Sequence, residues 1–230
     1  MSDFCITTLS AGEKYNSFLL ETINSNNDLI NSCDKFFITT DDEQYFKDNG
    51  YGNFKTEKVQ TFSFEPRYVK DISRNKKWFD FHLKRHAIRN AFNSGYTKIL
   101  YMDSDTHVIH WDTDFFIKPQ KGFWFRTLLG RNQYRQKYNF YNEKYNVDNW
   151  HYYRPVSEKL IYINECRDKI DGFLKCWEFL AKEAEGKINP YSEGHEILIS
   201  CRFNGASINA YKPDPFKGPY KYLNDTHIMK

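Results

Sequence analysis

The alternation of apolar and polar stretches along the chain predicts strands and helices in turn. Short apolar runs over Phe4–Leu9 and Lys35–Thr40 are typical of buried strands, and a weaker strand is expected around Val59. Between the first two runs, apolar positions from Tyr15 to Ile23 recur at helical spacing. The chain is therefore expected to open as an α/β layered fold.

The same reading predicts a helix over residues 75–94, followed by a strand at Ile99–Met102. In the second half it predicts strands at Gly122–Phe125 and Leu160–Ile163, and helices from Ile170 to Ala184 and after Ser192. The intervening stretch, residues 126–154, is dense in aromatic and polar residues with little periodicity. It is expected to be a loop-rich subdomain with packed rings. The alternatives are a carbohydrate-binding surface or a platform for single-stranded nucleic acid.

Two aspartates, Asp103 and Asp105, come directly after the central apolar strand. In continued strand geometry their carboxylates would point to the same side. Converging carboxylates at the end of a buried strand are costly unless a positive charge lies between them, and Mg²⁺ and Mn²⁺ prefer oxygen ligands. Because open α/β sheets bind ligands outside the carboxyl ends of their strands, this stretch is the first candidate site.

Composition and charge narrow the class of protein. With 230 residues and 40% hydrophobic content, the chain can build one substantial core or two small domains. Its 33 basic and 30 acidic residues leave a net charge of +3, which makes nucleic acid an unlikely partner. Five scattered cysteines without a C-x-x-C pair indicate reduced thiols. There is no signal-peptide pattern and no run approaching about 18 apolar residues, so a cytoplasmic protein without a transmembrane segment is expected.

Three further features carry candidate chemistry. The turn Ser10-Ala11-Gly12 is either a plain strand-to-helix turn or a point where the backbone approaches a nucleotide. The helix over residues 75–94 has a basic face, which is either solvated or brings Lys84 or Arg85 to a phosphate. Glu193 and Glu196 would share the first turn of the last helix, where acidic residues also suit the helix macrodipole.

Taken in order, these features resemble a known family, the GT-A-fold glycosyltransferases with an Asp-x-Asp motif, and most of all its small retaining members. The resemblance rests on Asp103-Ser104-Asp105 after its strand, on Gly194-His195-Glu196-Ile197-Leu198, and on His227 with Lys230. It implies a single domain with a central, mostly parallel sheet flanked by helices. Residues 1–110 would form the nucleotide-sugar-binding half, and residues 111–230 the aromatic-rich acceptor-binding half.

The resemblance also implies roles for individual residues. A Mn²⁺ or Mg²⁺ ion would be held by Asp103, Asp105 and His227. Asp105 would be the direct ligand, whereas Asp103 would act through water or contact the ribose or the donor sugar. Glu196 would be the catalytic carboxylate, with His195 and Glu193 as further candidates. Donor contacts are expected from Thr8, Ala11, Gly12, Lys84, Arg85, Asp103, Ser104 and Lys230. The implied reaction is metal-dependent transfer of a hexose from a nucleotide-diphosphate sugar, with a UDP-sugar favoured, to a hydroxyl group of a glycan or other acceptor.

Two alternatives compete with this hypothesis. A haloacid-dehalogenase-like phosphohydrolase also starts its chemistry at Asp-x-Asp after a strand, but it favours Thr or Val where this chain has His107. It also requires a later acidic pair, and none is convincing after Val108. The second alternative is a non-catalytic carbohydrate- or nucleic-acid-binding protein that uses residues 126–154.

Overall fold

The computed structural model describes residues 4–50, 58–71, 76–108, 121–127, 135–145, 156–188, 194–210 and 220–222. The strands are β1 (Cys5–Ser10), β2 (Lys35–Thr40), β3 (Val59–Ser63), β4 (Tyr68–Asp71), β5 (Lys76–Phe79), β6 (Lys98–Met102), β7 (Thr106–Val108), β8 (Gly122–Thr127), β9 (Val156–Asn164), β10 (Ile208–Ala210) and β11 (Tyr220–Tyr222). The helices are α1 (Glu13–Ser25), α2 (Asn27–Ser32), α3 (Glu43–Asp48), α4 (Lys84–Asn93), α5 (Arg135–Tyr145), α6 (Arg167–Ala184) and α7 (Gly194–Phe203).

Seven strands form the central sheet, in the order β10-β8-β9-β6-β1-β2-β3. β1 runs parallel to β2 and β6, β2 runs parallel to β3, and β8 runs parallel to β10. Only β9 breaks the pattern, because it pairs antiparallel with both β6 and β8. The predicted α/β class with a mostly parallel sheet flanked by helices is confirmed.

The two faces of β6 show how the sheet holds its helices. Ile99 and Tyr101 are fully buried in a core that includes residues of α4, α6 and α7. Leu100 and Met102 point to the opposite face, into a core that includes residues of α1, α2 and α3. A strand buried on both faces appears in sequence as a continuous apolar run, which is why this strand was predictable.

The helix predicted over residues 75–94 is wrong in its first half. Residues 76–79 form β5, which pairs antiparallel with β4, and α4 begins only at Lys84. Aromatic residues at positions 78 and 79 favour a strand, and the Asp80 carboxylate accepts the backbone N–H of His82 to start a short 3₁₀ turn over Phe81–Leu83. The basic face is therefore placed on a shorter helix whose first residue is Lys84.

The aromatic stretch at residues 126–154 is described only in part. Residues 135–145 form α5, so the expectation of a loop-rich subdomain is wrong for that part. The rings of Tyr141 and Tyr145, one helical turn apart, stack with their centroids 6.3 Å apart. The remaining aromatics from Asn146 to Arg154 lie outside the described residues.

A small antiparallel pair, β7 with β11, brings the end of the described chain beside the aspartate segment. Glu193, His227 and Lys230 lie outside the described residues, so their predicted roles stay predictions. None of the described helices combines the length and the apolar character required to cross a membrane.

Candidate functional site

The two aspartates lie on a tight turn between β6 and β7. Strand β6 ends at Met102, and the backbone N–H of Thr106 then donates to the carbonyl oxygen of Asp103 at 3.2 Å. Continued strand geometry was therefore the wrong reason for expecting the carboxylates on one side. The turn achieves the same result, because both Asp103 and Asp105 line one cavity. We call residues Asp103–Thr106 the Asp-x-Asp turn.

Two buried side chains hold the Asp-x-Asp turn in place: that of Thr22 on α1 and that of Asn26, the residue that follows α1. The Thr22 hydroxyl donates to the carbonyl oxygen of Ser104 at 2.6 Å. The Asn26 side-chain amide donates to the carbonyl oxygen of Thr106 at 2.9 Å and accepts the N–H of Val108 at 2.8 Å. The sequence analysis missed both residues, since their partners lie about 80 positions away and the local pattern contains no signal for them.

Asp103 forms a compact cluster of charges. The Lys84 ammonium lies 3.0 Å from Oδ1 and 3.1 Å from Oδ2 of Asp103, and the Tyr101 hydroxyl donates to Oδ1 at 2.7 Å. A second ammonium, that of Lys159 on β9, lies 3.9 Å from Oδ2. The register of β9 fixes this position, because the backbone N–H of Asp103 donates to the Lys159 carbonyl oxygen at 2.9 Å. Lys159 was not a predicted site residue.

The cavity beside this cluster has a volume of about 220 Å³ and combines charged with aromatic walls. Its described walls are Leu9, Ala11, Tyr15, Phe79, Phe81, Lys84, Tyr101, Asp103, Ser104, Asp105 and Lys159. Burial raises the pKa of Tyr15, and the negative charges of Asp105 and then Asp103 raise it further. The cavity therefore offers two ammonium groups, two carboxylates and four rings to one ligand. We call it the Asp103–Asp105 cavity.

Four of the predicted donor contacts line one cavity, and three others do not line it. Ala11, Lys84, Asp103 and Ser104 line the Asp103–Asp105 cavity. Arg85 lines a different, smaller cavity and donates to the carbonyl oxygen of His82 at 2.7 Å. The remaining two, Thr8 and Gly12, lie near the end of β1.

Gly12 and Thr8 do not line the Asp103–Asp105 cavity. The N–H of Gly12 donates to both carboxylate oxygens of Asp41 at 3.0 Å, and its φ of 79° is a conformation that favours glycine. The backbone N–H of Gly12 is thus satisfied within the protein, which favours the interpretation of Ser10-Ala11-Gly12 as a plain strand-to-helix turn. The Thr8 hydroxyl is buried on β1 with no hydrogen-bond partner among the described residues.

Two of the predicted catalytic residues, His195 and Glu196, lie in the first turn of α7. His195 and Glu196 are buried, Glu196 with 0% of its surface exposed, and neither is among the described walls of the Asp103–Asp105 cavity. The Tyr141 hydroxyl donates to Glu196 Oε1 at 2.7 Å and also contacts the Leu180 carbonyl oxygen at 3.3 Å. Burial raises the pKa of Tyr141, and the charge of Glu196 and their hydrogen bond raise it further, which keeps the hydroxyl as donor.

The predicted metal site is described only in part, because His227 lies outside the described residues. Within the described ranges, no three His, Cys, Asp or Glu side chains come together in a group that could hold a metal ion. Asp103 is already engaged by Lys84 and Tyr101, and of the predicted ligands this leaves Asp105 in the cavity wall. The positive charge that the sequence analysis required between the carboxylates is supplied, at Asp103, by lysine.

No family model matches the chain, and no curated protein matches it. Solved structures do. A structure of the galactosyltransferase LgtC with donor and acceptor sugar analogues matches 90% of this chain and 72% of its own, at 12% identity and a TM-score of 0.53; an LgtC active-site mutant gives 0.58. The mannosyltransferase Ktr4p of S. cerevisiae matches at 13% identity and a TM-score of 0.54.

The glycosyltransferase GlyE of Streptococcus pneumoniae matches at 11% identity and a TM-score of 0.51. This chain covers 63% of the Ktr4p chain and 45% of the GlyE chain. At these identities the likeness concerns the fold alone. The chain has the GT-A-like fold of these glycosyltransferases, as the resemblance of its sequence implied.

Proposed function

We propose that this protein transfers a hexose from a nucleotide-diphosphate sugar to a hydroxyl group of a glycan or other acceptor. The observation that carries the proposal is the Asp103–Asp105 cavity, which opens beside the ends of β1 and β6 with Lys84 and Lys159 in its wall. Ligands of open α/β sheets bind at such strand ends. The fold neighbours support the reaction class, and one of them was determined with donor and acceptor sugar analogues.

The chemistry of the cavity suits the departure of a nucleoside diphosphate. Negative charge grows on the leaving diphosphate as the glycosidic bond breaks, and ammonium groups fixed beforehand stabilise that charge without reorganising. The two lysines would serve this purpose, with Lys84 held by Asp103 at 3.0 Å. Tyr15, Phe79 and Phe81 would pack against the apolar parts of the donor.

A Mn²⁺ or Mg²⁺ ion at Asp105 remains a proposal, and such an ion would supply a Lewis acid at the leaving diphosphate. Asp103 is already engaged by Lys84 and Tyr101, and His227 lies outside the described residues, so no step is assigned to the ion. No catalytic role is assigned to Glu196 either. It accepts a hydrogen bond from Tyr141 and lies outside the described walls of the cavity. A UDP-sugar is the favoured donor from the family resemblance.

The test is a donor-hydrolysis and transfer assay with UDP-, GDP-, CDP- and dTDP-hexoses, each measured with Mn²⁺ and with EDTA. Release of one nucleoside diphosphate above background is expected, and Asp105→Asn should reduce it by at least about 100-fold if Asp105 acts on the reacting groups. Asp28→Asn, at an exposed position on α2, is the matched control and should keep wild-type activity.

Two results would contradict the proposal. One is the absence of nucleotide release with every donor. The other is glycan binding that is unchanged by Asp105→Asn and accompanied by no turnover, which would favour a binding protein instead.

A further inference from the structure

We infer that Asp103 is the counter-ion of a two-lysine diphosphate site, and that this site binds the diphosphate of a nucleotide without a metal ion. The inference rests on the proposed function, because the ligand is the diphosphate of the donor. It assigns Asp103 a role different from the metal ligand implied by the resemblance. It also adds Lys159, a residue of the second half of the chain, to the donor site.

Both carboxylate oxygens of Asp103 already have partners within the protein. Each carboxylate oxygen offers two lone pairs. Oδ1 accepts from the Tyr101 hydroxyl and from Lys84, while Oδ2 accepts from Lys84 and has the Lys159 ammonium 3.9 Å away. A divalent cation bound to the same carboxylate would lie within a few ångströms of two like charges, and such repulsion is strong away from bulk water. Asp103 therefore suits side-chain cations.

Lys84 is a buried lysine at the start of a helix. Its side chain is only 6% exposed, although it occupies the first turn of α4, where the helix macrodipole disfavours a positive charge. Burying an ammonium group is also costly unless the group is paired. Asp103 supplies the partner, and the Phe81 ring lies 5.6 Å from the ammonium. Apolar side chains at both position 84 and position 103 would fill this space at lower cost than the ion pair, so we attribute the charge of Lys84 to ligand binding.

The described walls of the cavity carry balanced charges. Two carboxylates alone would give the cavity a charge of −2 and would repel a diphosphate until a cation had bound. With Lys84 and Lys159 in the same wall, the four charges cancel. The Lys159 side chain is 27% exposed, compared with 6% for Lys84, so it is the ammonium more open to an incoming anion. A phosphate oxygen can contact it while Lys84 stays paired with Asp103.

The experiment measures dissociation constants of UDP, GDP, CDP and dTDP by isothermal titration calorimetry, in EDTA and in Mn²⁺. For the nucleotide that binds, we expect the constant in EDTA to lie within about tenfold of that in Mn²⁺, since tenfold corresponds to about 1.4 kcal/mol. Lys159→Met should weaken binding in EDTA by at least about tenfold. Lys175→Met, which alters a 71% exposed lysine on α6, is the matched control and should change binding less than about twofold.

Asp103→Asn separates the two roles of Asp103. A counter-ion role predicts equal or tighter nucleotide binding in EDTA, because the lysines lose a competing carboxylate, whereas loss of a metal ligand predicts weaker binding in Mn²⁺. Circular dichroism confirms that the variant is folded, and Lys159→Met provides the test if it is not. Binding that requires Mn²⁺ would overturn this inference and leave the proposed function standing. No binding of any nucleotide in either buffer would overturn both.

Discussion

The Asn26 side-chain oxygen accepts the backbone N–H of Val108 at 2.8 Å, although 82 positions separate the two residues along the chain. The same amide donates to the carbonyl oxygen of Thr106, so one side chain satisfies two backbone groups of β7. Both groups are buried against α1. The Asp-x-Asp turn therefore depends on a helix from the start of the chain.

Replacing Asn26 tests this dependence. Asn26→Leu leaves one buried N–H and one buried carbonyl group without their partner, and each orphaned group costs about 1–3 kcal/mol. We expect the free energy of unfolding, measured by urea denaturation, to fall by about 2–4 kcal/mol. Nucleotide affinity should fall as well, because the turn that carries Asp105 loosens. Asn31→Ala, at an exposed position on α2, is the control. Equal stability of the two variants would contradict the role of the Asn26 side chain in holding the Asp-x-Asp turn.

The Lys84–Asp103 pair gives a second stability test. Lys84→Met leaves the Asp103 carboxylate without its main partner, and breaking a buried pair in this way costs about 3 kcal/mol or more. The double variant Lys84→Met/Asp103→Leu removes both charges and should recover most of that loss. Lys182→Met breaks an exposed pair with Glu178 on α6 and should cost less than about 1 kcal/mol. Similar losses of stability from Lys84→Met and Lys182→Met would contradict the prediction, because the Lys84–Asp103 pair would then behave like a solvent-exposed one.

The Tyr141–Glu196 hydrogen bond predicts a dependence on alkaline pH. An ordinary tyrosine titrates near about pH 10, whereas burial raises the pKa of folded Tyr141 well above that value. Above about pH 10 the unfolded chain releases a proton that the folded chain keeps, so stability falls by about 1.4 kcal/mol per pH unit. The contribution of Tyr141 is thus fully present below about pH 10 and is lost as the pH rises.

Tyr141→Phe isolates this contribution. The variant should be about 1–3 kcal/mol less stable than the wild type at neutral pH, because Glu196 loses a donor. The difference should shrink between about pH 10 and pH 11, since phenylalanine has no proton to release. Phe179→Leu, at a 52% exposed position, removes no titrating group and should keep a constant difference from the wild type. A constant difference for Tyr141→Phe as well would contradict the raised pKa.

Gly122, the first residue of β8, tests the packing of the sheet edge. Its φ is 130°, and a Cβ atom there would lie 2.5 Å from Asn209 Nδ2 and 2.6 Å from the Ser207 carbonyl oxygen. Gly95 also has a positive φ, of 102°, but a Cβ atom there meets nothing within 4 Å. Gly95→Ala should therefore show backbone strain alone, about 1–3 kcal/mol, and Gly122→Ala should lose at least about 1 kcal/mol more in thermal or urea unfolding. Equal losses would place Ser207 and Asn209 farther from β8.

The strands that could be predicted from the sequence are those with a local, continuous signal. β1, β2 and β6 are apolar runs buried on both faces, and each was expected within a residue or two of its observed bounds. The register of β9 had no such signal. Leu160–Ile163 was expected to be a strand, but nothing local indicates that it pairs antiparallel with β6 and thereby places Lys159 beside Asp103.

The two carboxylates of the site could be predicted from the sequence, whereas the residues that contact them and hold them in place could not. Asp103 and Asp105 follow an apolar strand, which a reader of the sequence can see, and both line the cavity. The residues that hold them come from elsewhere: Thr22 from α1, Asn26 from the end of that helix, and Lys159 from β9. Such pairings depend on how distant elements pack, so the sequence did not show that the Lys84 and Lys159 ammonium groups lie beside Asp103.

The place of β9 between β6 and β8 has a consequence for the order in which this chain matures. During synthesis, β1, β2, β3 and β6 leave the ribosome first and can pair in parallel, but β6 has an open edge until residues 156–164 emerge. Until then Asp103 also lacks Lys159. Exposed strand edges and late, long-range pairing slow folding and favour aggregation. A nascent chain that stops before β9 is therefore expected to aggregate and to be unable to bind nucleotide. The ability to bind the ligand is gained only when β9 completes the sheet.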